Sequence, residues 1–220
     1  MAEYQLYCFA QSGNAYRAAL MLNLVGADWQ PIFVDFFNGE TRTAEYRSTV
    51  NEMGEAPVLV HGAKKLSQSG VILLYLADRF GKFLPPGEAI RLEALRWIIF
   101  DNQKLNGLLA PYRFLHSLAK PKGDPAVLAF LKGRIDNALG ILDKRLAPRA
   151  YVLGPEPTIA DLSLVGYLYY PPEEFGFDMA AEYRNIGAWL ERIKALPGWA
   201  HPYDLMPGYP LPQRPAASGE

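Results

Sequence analysis

Residues 4–26 read YQLYCFAQSGNAYRAALMLNLVG, and two periodicities meet inside them. Residues 4–9 are aromatic and apolar, which predicts a buried strand. From residue 14 onward Ala15, Ala18, Leu22 and Val25 fall at helical spacing, and Gly26 supplies the stop. Between the two lies the polar knot Gln11-Ser12-Gly13-Asn14. It puts a hydroxyl and an amide where a strand hands over to a helix. The first turn of that helix has N–H groups without intrahelical partners and the positive end of the dipole, so it can hold an anion.

Outward from this stretch, residues 29–36 read as a second strand, with Pro31 arguing for a sheet edge because proline gives the ladder no N–H. Residues 41–50 fit a short irregular helix. Residues 57–61 and 64–67 flank Gly62-Ala63 as a β-hairpin, and 69–80 follow as a helix that Gly81 ends. A second helix start, Gln68-Ser69-Gly70, thus follows an extended segment entered by Ala56-Pro57. Two helix starts and a proline-led strand point to a small, anionic, peptide-like ligand. Residues 81–87 (GKFLPPG) break the composition. The division predicted is residues 1–81, a linker over 82–87, and an all-helical part over 88–220. Within the latter, 88–119 form one long helical pattern that Pro111 is expected to kink. Asp124-Pro125 is an N-cap followed by proline at the first helical position. Thr158-Ile159-Ala160-Asp161 resembles a capping box opening a helix into Tyr170. Residues 182–196 read as the last helix, and the tail from Pro197 as an extended surface run.

Composition excludes several function classes. The chain has 220 residues, half of them apolar, which is ample for one or two domains. Its net charge of −1, without a Lys/Arg run, argues against nucleic acid and against an anionic membrane surface. A lone cysteine, Cys8, rules out an intrachain disulfide framework and fits a reducing compartment. His61, His116 and His201 are scattered, so no metal-ligand spacing exists and no metal is expected. The start shows no signal-peptide pattern, and no apolar run reaches the ~20 residues needed to cross a bilayer. The expectation is a soluble cytoplasmic protein.

An α/β layer ordered β-α-β-β-β-α and joined to an all-helical part resembles the cytosolic glutathione transferase family over nearly the whole chain. The resemblance rests on Ser12-Gly13-Asn14, on residues 54–59 (GEAPVL), on 66–72 (LSQSGVI), on 151–154 (YVLG) followed by Thr158–Asp161, and on 186–189 (IGAW) leading to 196–199 (LPGW). Each string is weak alone; five in order are not. The serine-type, bacterial-like members with a Ser-x-Asn motif are the most similar. The resemblance implies a thioredoxin-like N-terminal domain carrying glutathione, an all-helical C-terminal domain lining a hydrophobic co-substrate site, and a homodimer. Glutathione is then a co-substrate, and no permanently bound cofactor is expected.

The implied chemistry is thiolate stabilisation. A free thiol has a pKa of about 8.5, so little glutathione is ionised at neutral pH. Ser12 would donate its hydroxyl to the sulfur, being too weak a base to take the proton; the plain alternative is that it only caps the helix. Asn14 would donate a second bond, orient Ser12, or serve as an ordinary turn residue. Pro57 is expected to be cis, leaving the Ala56 backbone free to pair with the peptide like an added strand. Gln68 and Ser69 would hold the γ-glutamyl end, with Ser69 and the helix N-terminus on the carboxylate and Gln68 accepting from the ammonium. Glu55, beside Ala56, is an acid where many relatives place a basic or amide residue. The glycyl carboxylate is left to Arg42 or Lys64. Tyr112 and Tyr203 are the candidates for the hydrophobic side. Cys8 reads as a buried structural thiol. Three functions remain open: attack on a small hydrophobic electrophile, glutathione-dependent reduction of a disulfide or peroxide, and a binding module without turnover.

Overall fold

The structure, a computed structural model, describes residues 2–211. Its first third builds a four-stranded sheet from β1 (Tyr4–Cys8), β2 (Trp29–Phe33), β3 (Val58–His61) and β4 (Lys64–Ser67), in the order β2-β1-β3-β4. β1 runs parallel to β2 and antiparallel to β3, and β3–β4 is the hairpin. Pro31 lies on β2, at one edge of the sheet, where its missing N–H breaks no central ladder. The strand ends at Phe33, earlier than the sequence reading, because the chain turns into short helical turns at Phe36–Asn38 and Glu40–Arg42 before α2 (Ala44–Thr49).

α1 (Gly13–Val25) is apolar nearly all round, and ten of its residues are buried. Such a helix has to be covered on more than one side. The sheet covers one side, and the helical part of the chain covers the rest. Its C-terminus stops at Gly26, whose left-handed backbone (φ 74°) a residue with a Cβ would adopt only under strain. α3 (Ser69–Phe80) packs beside it.

No helix or strand occupies the stretch between α3 and α4 (Glu88–Lys104). The long helical pattern from 88 is interrupted, but at Leu105 rather than at Pro111. Leu105 leaves helical geometry (φ −117°, ψ −82°), and α5 (Asn106–Arg113) restarts immediately. Gly107 permits this break: a Cβ there would sit 2.0 Å from the Asn102 carbonyl oxygen. Pro111 stays inside α5, which ends in a wide π-type turn over Phe114–Leu118. α6 (Pro125–Leu146) begins as expected, with the Asp124 side chain accepting from the Ala126 N–H at 2.7 Å.

α7 (Ile159–Leu164) carries the capping box formed by Thr158 and Asp161 and tightens into a 3₁₀ turn, Val165–Tyr167, short of the predicted extent. The last predicted helix is two, α8 (Met179–Glu182) and α9 (Arg184–Lys194). The tail is not a loose surface run. It forms α10 (Pro202–Leu205) and is bonded to the first domain: Asn23 Nδ2 donates to the Gly198 carbonyl at 2.6 Å, the Tyr16 hydroxyl to that of Ala200 at 3.0 Å, and the Ala10 N–H to that of Pro207 at 2.7 Å. The rest of that tail reading, beyond residue 211, lies outside the described residues. The architecture is a thioredoxin-like layer followed by an all-helical part. None of the described helices is long and apolar enough to cross a membrane.

Candidate functional site

The turn at residues 11–14 sits at the bottom of two adjoining cavities. Ser12 is the N-cap of α1, and its Oγ accepts from the Ala15 N–H at 3.1 Å. A hydroxyl that accepts there keeps its own hydrogen free to donate elsewhere. The side chain is buried except where the cavities reach it.

Asn14 is oriented from below. The Arg17 guanidinium donates to Asn14 Oδ1, so the amide NH₂ is the part of Asn14 left to bind a ligand. Arg17 is itself fixed by a buried ion pair with Asp101 of α4. Ser163 of α7 accepts from Arg17 at 2.8 Å and donates to Asp101 at 2.6 Å, and Asn106 donates to the other carboxylate oxygen at 2.5 Å. Burial pushes the Asp101 carboxyl above its ordinary range, and the Arg17 charge opposes that shift.

The larger cavity has a volume of about 370 Å³ and brings together Ser12, Asn14, Glu55, Ala56, Pro57, Gln68 and Ser69. Gly54, Asn102, Gly107, Ala110, Phe9, Phe36 and Tyr167 complete its lining. The Ala56–Pro57 bond is cis. The Glu55 carbonyl is held by the Tyr46 hydroxyl and by Asn51 Nδ2, both at 3.0 Å. Among the described residues the Ala56 backbone makes no hydrogen bond, so both its groups remain available to a peptide.

Gln68 precedes α3 in a left-handed conformation (φ 66°) and donates from Nε2 to the Glu55 carboxylate at 2.8 Å. Behind it, Ser69 opens the helix with its hydroxyl and the unpaired N–H groups of the first turn. Of the residues lining this cavity, Glu55 alone carries a charge. Lys64 lies exposed on β4, whereas Arg42 borders the smaller cavity. Arg47, unnamed by the sequence reading, packs against Gly54: a Cβ at 54 would meet its guanidinium at 2.8 Å.

The smaller cavity, about 340 Å³, is bordered by Phe9, Phe36, Phe37, Ala110, Pro111, Phe114 and Leu118, together with Gln11, Ser12, Arg42, Arg113 and Tyr167. Tyr112 and Tyr203 line neither cavity. Tyr112 is turned inward, donating to the Phe175 carbonyl at 3.1 Å and stacking on His116. Tyr203 stacks on Tyr209 and accepts from Arg113 at 2.7 Å. Arg113 also donates to the Gln11 carbonyl at 2.6 Å, so Tyr203 supports the turn from behind rather than facing a ligand. Periodicity alone did not separate these aromatics from Phe114, which does border the cavity.

Tyr167 lines both cavities and escaped the sequence reading altogether, because its only local signal is a place shortly after the capping box. Its ring rests on Gly13, where a Cβ would come within 2.6 Å of it. Cys8 is fully buried in β1, with its thiol pushed up to about 12 by desolvation, and takes no part in the site. Among the described residues no group of three His, Cys, Asp or Glu side chains could hold a metal.

The chain is similar to known proteins over most of its length. Residues 2–78 match the family "Glutathione S-transferase, N-terminal domain", and residues 125–192 match "Glutathione S-transferase, C-terminal domain". Glutathione S-transferase 1 of Dianthus caryophyllus is 32% identical, the match covering 80% of each chain. The Escherichia coli disulfide-bond oxidoreductase YghU is 28% identical over 81% of this chain and 64% of its own length. A crystal structure of a glutathione S-transferase from Xanthobacter autotrophicus Py2 superposes with a TM-score of 0.80 at 32% identity, covering 90% of this chain and 95% of that one.

Proposed function

The chain belongs to the glutathione S-transferase family, and we propose that it binds the tripeptide in the larger cavity with the sulfur at Ser12, facing an apolar co-substrate in the smaller one. The cysteinyl backbone pairs with Ala56, and the γ-glutamyl carboxylate sits on Ser69 and the first turn of α3. The ammonium meets Glu55 and the side-chain amide oxygen of Gln68, whose Nε2 is given to Glu55. Arg47, packed against Gly54, is the cation offered to the glycyl carboxylate.

The observation that carries this reading is the Ser12 hydroxyl, held at the mouth of α1 where the two cavities meet. Depressing a thiol pKa by two units needs about 2.7 kcal/mol of preference for the anion. One hydrogen bond to a charged group supplies roughly 1.5–3 kcal/mol. The Asn14 NH₂ and the helix dipole add to it in the same direction. The thiol proton leaves to water. The thiolate electron pair then forms a carbon–sulfur bond as the leaving group departs with the pair it shared with that carbon.

In Ser12→Ala the bound thiol, titrated by its ultraviolet absorbance, is expected to return towards about 8.5. Conjugation of an aryl halide at neutral pH is expected to fall by about tenfold to a hundredfold. An unchanged rate would overturn the assignment. A second reading, reduction of disulfides through the same thiolate, is favoured by the likeness to the E. coli oxidoreductase. A simple disulfide turned over faster than the aryl halide would put that reading first.

The exposed Leu92 and Ile99 of α4 and Phe130 and Ile141 of α6 support pairing of two copies through the helical part. A single buried cysteine suits a protein working in the reducing cytoplasm.

A further inference from the structure

Ser12 is not the only hydroxyl where the cavities join. Five residues border both: Phe9, Ser12, Phe36, Ala110 and Tyr167. Only Ser12 and Tyr167 among them carry a polar side-chain atom. Tyr167 comes from the opposite half of the molecule, at the end of the 3₁₀ turn that follows α7. Its own N–H is anchored to Asn106 Oδ1 at 3.3 Å, and its ring is pressed on Gly13, so the side chain is held rather than free.

The residue is 94% buried, being 6% exposed, and what remains open faces the cavities. The ring lies over the first turn of α1, and among the described residues the phenolic O–H donates to no protein acceptor. A held hydroxyl lacking an acceptor is arranged to donate to something that enters the cavity. Burial raises the Tyr167 pKa, with Arg113 and Arg17 opposing it, so the group stays protonated at neutral pH and acts as a donor, not as a base.

We propose that Tyr167 is a second catalytic residue, its O–H donating to the glutathione sulfur from the helical side while Ser12 donates from the sheet side. This rests on the glutathione reading above, and it explains why a glycine stands at position 13. Any side chain there would collide with the Gly166 carbonyl and with the Tyr167 ring.

The decisive variant is Tyr167→Phe, which keeps the ring on Gly13 and removes only an oxygen that bonds no side chain. The pKa of bound glutathione is measured by ultraviolet titration without electrophile, in the wild type, Y167F, S12A and the double variant, beside glutathione affinity by calorimetry. Y167F is expected to leave about tenfold less thiolate at neutral pH and to slow conjugation by a similar factor, recovering at high pH, while affinity at neutral pH changes by less than about threefold. The double variant is expected to be worse than either single one. A bound-thiol pKa that does not move in Y167F overturns the proposal, even if turnover falls, because the hydroxyl would then be acting on the electrophile. Failure of the wild type to bind glutathione would overturn the parent reading as well, and is seen in the same calorimetry.

Discussion

Glu55 has the wrong charge for most of glutathione, which carries two carboxylates and, when activated, a thiolate. Only the γ-glutamyl ammonium complements it, and Gln68 holds its carboxylate at 2.8 Å on that side of the cavity. Glu55→Gln is therefore expected to weaken glutathione binding by about fivefold, about 1 kcal/mol for a solvent-exposed pair. It should not weaken binding of the deaminated analogue, and paired calorimetric titrations check both. Asn14 offers a second test. Asn14→Asp keeps the shape and the bond to Arg17 but replaces an amide donor with an anion, so the bound thiol should become less acidic than in Asn14→Ala. At this scale the sequence was informative wherever the cue is local. Ser12, Pro57 and Ser69 announce themselves by standing at a helix start or before a strand. Tyr167 does not, since it reaches the site only through tertiary packing that no nearby residue encodes.

Helix ends behaved similarly. Asp124 and Thr158 were legible because a cap is a contract between residues two or three apart. The rest of Asp161's role was not. Its carboxylate accepts from the N–H groups of Val152 (2.8 Å) and Thr158 (2.9 Å), from the Thr158 hydroxyl and from the Trp189 indole at 2.9 Å. Asp161→Ala leaves several buried donors unpaired. It should cost roughly 3–5 kcal/mol in denaturant unfolding, well beyond the ~1 kcal/mol of a cap alone. The break at Leu105 was hidden for the opposite reason: Pro111 is the louder signal, yet Gly107 decides where the backbone can fold back. α4 also carries a pH-dependent tie to α6. Arg96, then Trp97 and Arg145, hold the Glu93 carboxyl down at about 2 from an ordinary 4.5. A depressed acid stabilises fully above its unfolded pKa. The Glu93 contribution should therefore be intact above about 4.5 and vanish as the pH falls through about 2. Comparing wild type and Glu93→Gln across acid unfolding should show the two curves converging there.

Across the whole molecule, the two parts share one interior. Arg17 of α1 is paired with Asp101 of α4 and donates to Ser163 of α7, and α1 buries residues on both its sides. A peptide of residues 1–81 would expose that charge and the apolar face around Tyr16 and Leu20. It is expected to show no cooperative urea transition by circular dichroism, whereas the full chain should unfold in a single step. Composition and periodicity could forecast two structural classes in tandem. They could not forecast that the boundary is an interior, because pairing of α1 with distant helices leaves no trace at either sequence position.

The tail gives that interior a direction in time. Residues 10 and 11 are tied to Pro207 and Gly208, the latter 197 positions away. On a ribosome the turn at Ser12 emerges well before the strap that fixes it, since Gln11 and Gly208 are 197 positions apart. The turn at residues 10–12 therefore stays without its strap until residues 207 and 208 have been made, long after the sheet's own strands. Termination just before residue 207 would yield a chain that carries all four strands and the long helices but leaves the turn at residues 10–12 unstrapped.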